Sequence, residues 1–461
     1  MDRRTFTKVS GSLLAASIAG VPHSHRARAA GQTVEDIRQY FTWDDPSVIE
    51  LTEEVYQKCI LDKVHPPTQP MNHNWIAPGG GYQGQWIWDT MFVVDLLSIM
   101  PGKEEVIRGV FQNNWDFQER WNKEVPDYAH DMIPCVIHSG KHRRAQSENF
   151  FKNKEWVEFP AFSQIPILAW GVERVYKRNG DKKLLKQCLK PLERFHEWYW
   201  RERDVTNIGM IAVGSYSGVV QHARWETFDF EVNMDDLKLT HHPTRVGFGQ
   251  GDWYGNICVP GNTSYLVLAE KSLMRLAEIM GDKKMAARRK ARIDKAEEAI
   301  HAHMWDEDAG AFLTVERDTL EKVPVTTIGS WMPLHAGIAT DAQAQRMAEV
   351  LQSPSWQTPI PIPTVDPKDE RFDPKGFWRG DIWPPTNYQI ASGLADYGYH
   401  DLAADICDRT IANAFENGIS EHYDSHTGKK LGVEFLGMTC AIVTMMIDGL
   451  TKEHTLKLSN Q

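Results

Sequence analysis

Apolar residues recur near i, i+3, i+4 and i+7 through most of segments 46–61, 88–100, 103–119, 162–178, 182–200, 263–280, 284–304, 341–351, 385–397, 401–413 and 435–450. That spacing puts one apolar stripe on each predicted helix. Asn179-Gly180-Asp181, Gly281-Asp282 and Tyr399-His400-Asp401 punctuate three of the boundaries. Such residues stop one helix and start the next, so consecutive helices reverse direction there. Short strand-like pieces interrupt the series at 132–139, 210–213 and 311–314. No Pro/Gly/Ser-rich linker divides the chain, and no heptad repeat runs through it. About a dozen helices joined as hairpins predict an all-α toroid, with its long loops gathered at one end to form a pocket.

The N-terminus stands apart from this pattern. Asp2-Arg3-Arg4-Thr5-Phe6-Thr7-Lys8 has twin-arginine character, with Thr7 where Leu is more usual. An apolar stretch from 9 to 21 follows, then the small-residue site Ala27-Arg28-Ala29. Residues 1–30 therefore read as a twin-arginine signal peptide and 31–461 as a single barrel domain, exported to the periplasm or secreted. About 430 residues is more than one ordinary core of roughly 250–300 holds, and a closed ring of helices accommodates the excess. Removing residues 1–29 leaves 46 basic and 61 acidic residues, a net charge of −15. A chain that acidic argues against nucleic acid and anionic membrane surfaces as partners. No other apolar run reaches the roughly 20 residues of a membrane span.

The six cysteines are scattered without a CxxC pair. That spacing gives neither a disulfide framework nor a zinc site, and most are expected as buried small apolar residues. His241-His242 lacks further ligands at helical spacing, so no metal and no cofactor is expected. Seventeen tryptophans are many for this length. Trp115, Trp170 and Trp198 lie on helical faces and read as core. Others sit beside carboxylates in Gly/Pro-rich loops, where indole faces stack on pyranose rings and carboxylates accept hydroxyl hydrogen bonds. The expected partner is a carbohydrate.

Four segments carry that chemistry. Trp86-Ile87-Trp88-Asp89-Thr90 opens a helix with Asp89 in its first turn, and Phe162-Ser163-Gln164-Ile165-Pro166 opens another. Phe377-Trp378-Arg379-Gly380-Asp381-Ile382-Trp383-Pro384 precedes a third, and Gly418-Ile419-Ser420-Glu421-His422-Tyr423-Asp424 is expected as a loop before the final helix. Taken singly, Asp89 could be a helix cap and Asp381 could pair only with Arg379.

These segments, with Trp331-Met332-Pro333-Leu334, Pro361-Ile362-Pro363-Thr364-Val365, Asn387-Tyr388 and Thr427-Gly428, resemble the ordered motifs of the trehalase-like glycosidases. The likeness is to the branch of mannosylglycerate and glucosylglycerate hydrolases, related to processing α-glucosidase I. It runs from about Trp86 to Leu450 and implies an (α/α)6 barrel and inverting hydrolysis of an α-glycoside. Inversion needs a carboxylic acid to protonate the leaving oxygen and a carboxylate to activate water, roughly 6.5–9.5 Å apart. The resemblance makes Glu421 the base. It implies sugar-binding roles for Trp88, Asp89, Gln164, Arg224, Trp225, Trp253, Trp378, Arg379, Asp381, Trp383 and Tyr423.

The acid departs from the pattern. In this family it lies in a Glu-Ser-Gly-x-Asp segment shortly before Arg-Trp. Here Ser217-Gly218 and Arg224-Trp225 keep the register, while the acid position holds Val220. A valine carries no proton, so the role falls to Glu226, Asp229 or Asp252, with His222 a weaker candidate. Two other readings stay open at this point. One is a polysaccharide lyase or other atypical sugar-cleaving enzyme on the same toroid. The other is a catalytically silent sugar-binding protein.

Overall fold

The computed structural model describes residues 34–124, 130–139, 163–215, 239–241 and 253–459. Twelve α-helices lie among them: α1 (Pro46–Val55), α2 (Ile87–Leu97), α3 (Glu104–Glu124), α4 (Leu168–Asn179), α5 (Lys182–Glu202), α6 (Pro260–Ile279), α7 (Lys283–His303), α8 (Met332–His335), α9 (Asp341–Leu351), α10 (Pro384–Asp396), α11 (His400–Asn417) and α12 (Ala441–Ile447). Even-numbered helices form an inner ring. Each packs on the next, α2 on α4, α4 on α6, α6 on α8, α8 on α10 and α10 on α12, and the 3-10 turn Gly437–Cys440 ahead of α12 packs back on α2. Odd-numbered helices lie outside, as α5 does on α4 and α6, and α11 on α10 and α12. The architecture is an (α/α)6 barrel.

The two rings differ in sequence as physics requires. Every residue of α2 is buried, as expected for a helix covered on all sides. Outer α7, by contrast, buries a stripe of Met285, Ala286, Arg289, Ile293, Ala296, Ala299 and Ile300. Helix starts follow local chemistry. Asp45, Asp181 and Asp282 accept hydrogen bonds from the first free N–H groups of α1, α5 and α7, and Pro384 begins α10 without forfeiting a bond.

Boundaries shift where the pattern was blind to geometry. The helix expected from 162 begins at Leu168, because Pro166 biases Ile165 toward extended backbone. The final helix is confined to α12. The segment around Glu421 is a strand, not a loop: β4 (Ser420–Tyr423) pairs antiparallel with β5 (Lys430–Glu434). Other short strands lie in the connections, among them β1 (Phe41–Trp43), β2 (Gly84–Trp86) and β3 (Val136–His138). Strand β2 pairs with β3, and β1 pairs with β6 (Leu456–Leu458). All six cysteines are buried and none forms a disulfide. Trp115, Trp170 and Trp198 are core residues. No helix of the described residues is long and apolar enough to cross a membrane.

Candidate active site

The N-terminal ends of α2 and α10, the approach to α4 and the β4–β5 hairpin converge on one cavity. Asp89, Gln164 and Glu421 supply its polar lining, and Trp86, Trp88, Trp378 and Trp383 much of its wall. Tyr82, Phe377, Leu436 and Met438 complete it.

Glu421 is aimed by a fault in the hairpin. Pairing slips between Ser420 and His422, and a bulge of this kind turns a side chain off its regular face. The Val433 N–H donates to Glu421 Oε2 at 2.9 Å. Tyr82 donates its hydroxyl hydrogen to Oε1 at 3.1 Å. Gly432, at φ 70°, lies against the same carboxylate, where any Cβ would collide with Oε2. Burial pushes the Glu421 carboxyl above its ordinary range, opposed by His422 and by the Val433 and Tyr82 donors, with Asp381 adding to the rise.

Asp89 is the third residue of α2, inside the helix and not its cap. It is buried, and its pKa is pushed up to about 7 by desolvation and then by the Glu421 charge. Asp89 can therefore carry a proton at neutrality, while two donors bear on the Glu421 carboxylate. Environments that set two carboxyls to different tasks are a mark of acid–base sites. Gln164 accepts the Trp88 N–H at 2.8 Å. Its Nε2 is buried with no partner among the described residues, a donor that a bound hydroxyl would satisfy.

Trp378 adopts a left-handed φ of 56°, a conformation that costs a side-chain-bearing residue about 1–3 kcal/mol. The turn around it is tied by Arg379 N–H donating to Gly376 O and Asp373 N–H donating to Arg379 O, both at 2.8 Å. That geometry brings the Trp378 ring flat onto Trp383, with centroids 4.1 Å apart and planes 8° apart.

Three expected sugar ligands stand behind the wall instead of in it. Asp381 is fully buried and receives Thr364 Oγ1–H on one oxygen and Trp383 Nε1–H on the other, each at 2.8 Å. His422 Nδ1 also lies 2.8 Å from Oδ2, and among the described residues no pairing joins Asp381 to Arg379. Tyr423 turns its hydroxyl back to its own strand, donating to Gly418 O at 2.9 Å and accepting from Ser420 N–H at 3.0 Å. Its backbone bridges Ile382, so it fastens the hairpin to the tryptophan segment. Arg379 is half-buried and does not line the cavity. Arg224, Trp225, Glu226, Asp229 and Asp252, with Val220 and His222, lie outside the described residues. Of Trp253 only the backbone is described, at the start of a strand (Trp253–Cys258). Tyr82 was missed by sequence reasoning, and Trp86 was named only within its segment, without a role of its own. The signal was an aromatic residue seven places before Asp89, directly after Gly79-Gly80-Gly81.

Residues 82–438 match the model of the mannosylglycerate hydrolase MGH1-like glycoside hydrolase domain. The chain belongs to this family. It is a glycoside hydrolase. It is 23% identical over 412 residues to a mannosylglycerate hydrolase of Thermus thermophilus, covering 79% of this chain and 94% of that one. A periplasmic trehalase of Salmonella paratyphi C is 23% identical over 401 residues, 78% of this chain and 64% of the trehalase. In three dimensions the glycoside hydrolase is similar to a GH63 mannosylglycerate hydrolase from Thermus thermophilus crystallised with glucose. The TM-score is 0.63 at 20% identity, over 85% of this chain and 97% of that one, which is a likeness of fold.

Proposed function

We propose that this glycoside hydrolase is exported by the twin-arginine route and cleaves an α-linked sugar with inversion, Glu421 activating water as general base. The observation that carries this reading is the Glu421 carboxylate, buried, oriented by Tyr82 and Val433, and facing the cavity that Asp89, Gln164 and the Trp378–Trp383 pair also line. Asp89 and Gln164 would take sugar hydroxyls, and the indoles the apolar face of the ring. Arg379, Asp381 and Tyr423 act in this reading by holding the wall, and Arg224, Trp225 and Trp253 are proposed as further sugar contacts.

Glu226, Asp229 and Asp252 remain the proposed donors, since Val220 cannot serve. The relatives named as mannosylglycerate hydrolases and periplasmic trehalases support α-glycosyl glycerates and α-linked disaccharides as substrates. The test is proton NMR of the first product from a panel of both classes, where release of the β-anomer establishes inversion. Removing the true acid should abolish cleavage of these substrates while sparing a glycosyl fluoride, whose leaving group needs no proton. Sugar binding without turnover across the panel, unchanged in Glu421→Gln, would overturn the assignment.

A further inference from the structure

Behind the cavity wall stands a second group of buried polar atoms that the hydrolytic reading leaves unused. His422 is buried and does not line the cavity. Its imidazole lies flat on Trp383, with centroids 4.8 Å apart and planes 5° apart. Phe377 meets both rings edge-on, at 5.5 Å from His422 and 5.3 Å from Trp383. Trp383 in turn lies flat on Trp378, so three parallel rings form one stack whose two indoles face the cavity.

One oxygen fixes two of the three rings. Asp381 Oδ2 accepts the Trp383 indole N–H at 2.8 Å and lies 2.8 Å from His422 Nδ1. The indole is hydrogen-bonded to that oxygen, and the imidazole stacked on it brings Nδ1 into contact with the same atom. A fully buried carboxylate also needs a counter-charge. Among the described residues, His422 is the one basic side chain at ion-pair distance from Asp381.

We propose that His422 is a positioning residue of this hydrolase: as counter-ion of Asp381 and base of the indole stack, it holds the sugar platform in plane and keeps the Asp381 charge from bearing on Glu421. The proposal rests on the reading of Glu421 as the base and adds how that base is kept ionised.

The ionisable groups around His422 are few among the described residues. Asp381 faces it from the segment before α10, and Glu421 precedes it on β4. Asp89 lies beyond Glu421 across the cavity. Strand β5 presents Gly432, whose Cα has no room for a Cβ beside His422 Cδ2 and Nε2. Lys430 and Glu434 on β5 are paired with each other on the outer surface. Removing His422 therefore leaves two carboxyls, Asp381 and Glu421, without the imidazole between them.

Two variants separate the roles. His422→Asn keeps a nitrogen near the Nδ1 position and removes the ring, while His422→Phe keeps a flat ring and removes the nitrogen. The direct readout is the carboxyl 13C resonance of Glu421 in glutamate-labelled full-length protein, assigned by its loss in Glu421→Gln. Its titration midpoint should rise by about one pH unit in both variants, as expected on losing a nearby opposite charge. The second readout is D-glucose or D-mannose binding, followed by tryptophan fluorescence. His422→Asn should weaken it about five- to tenfold, and His422→Phe by less than about twofold, since ring stacking contributes on that scale. An unmoved Glu421 midpoint in either folded variant overturns the proposal, and unchanged sugar affinity in His422→Asn overturns its platform half. If His422→Phe does not fold, His422→Asn alone decides. The titration does not depend on turnover, so a protein that cleaves nothing would defeat the reading of Glu421 as base while still reporting on His422.

Discussion

At the C-terminal ends of the inner helices, Asp95 lies between two arginines, with Arg174 at 2.7 Å and Arg178 at 3.1 Å. Asp448 is held by the same two, at 2.8 and 2.7 Å, and accepts the Tyr388 hydroxyl at 2.9 Å. At the opposite end Asp89 and Glu421 share a cavity whose described lining holds no arginine or lysine. Burial opposes the charge at both ends. In Asp95 the arginines outweigh it and hold the carboxyl below its ordinary value. In Asp89 nothing outweighs it, and the Glu421 charge adds to the rise. The arginine end is electrostatically complete and fastens α2, α4 and the end of α12 together. Among the described residues the cavity end is left incomplete, with two carboxyls and a Gln164 amide nitrogen without a partner that a sugar would complete.

Changes at the two ends should consequently fail in different ways. Glu421→Gln should lower kcat by about 10³-fold or more, the scale of losing a general base. Sugar binding and unfolding midpoint should stay close to wild type, and steady-state rates with a fluorescence titration check both. Asp95→Ala should do the reverse. It leaves two half-buried arginines short of a counter-charge, a loss of about 3–5 kcal/mol. Urea unfolding measures that loss, and the molecules that remain folded should turn over at the wild-type rate.

Asp89→Asn sharpens the contrast through pH. A carboxyl at about 7 in the folded protein binds its proton more tightly there than in the unfolded chain, whose Asp titrates near ~3.9. Stability therefore falls as pH rises between those values, and is flat above them. The Asn variant should exceed wild type by a few kcal/mol, on the order of 2–4, at pH 8. The difference should close as the pH is lowered toward 4, as read from urea unfolding at both values. A gap of the same size at pH 4 would remove Asp89 from the group of strained carboxyls. The smallest effect is expected for Tyr82→Phe. It removes one of two donors to Glu421, so kcat/KM at slightly acidic pH should drop about tenfold, with the acidic limb of the profile displaced upward.

Much of this molecule was legible in its residues. Helical periodicity with turn residues between the segments gave the ring, because each helix must bury its stripe against a neighbour. Asp89, Gln164 and Trp383 could be placed at helix entrances, because entrances are marked by caps, prolines and the onset of periodicity. Side-chain aim was not legible. Asp381, Tyr423 and Glu421 read alike as polar residues near tryptophan, yet of the three only Glu421 enters the cavity. A one-residue slip against β5 turns it inward, while Tyr423 is tied back to Gly418 and Asp381 to Thr364, Trp383 and His422. Strand register and the bond partners of a buried carboxylate depend on segments dozens to hundreds of residues apart, as when Tyr82 meets Glu421 across 339 positions. Local sequence determined which helices form and which residue types reach the barrel mouth, because propensity and periodicity act over a few turns. Only tertiary packing decided which carboxylates are paired and which stay poised, because charge and burial are set by whatever neighbours the fold brings within a few ångströms.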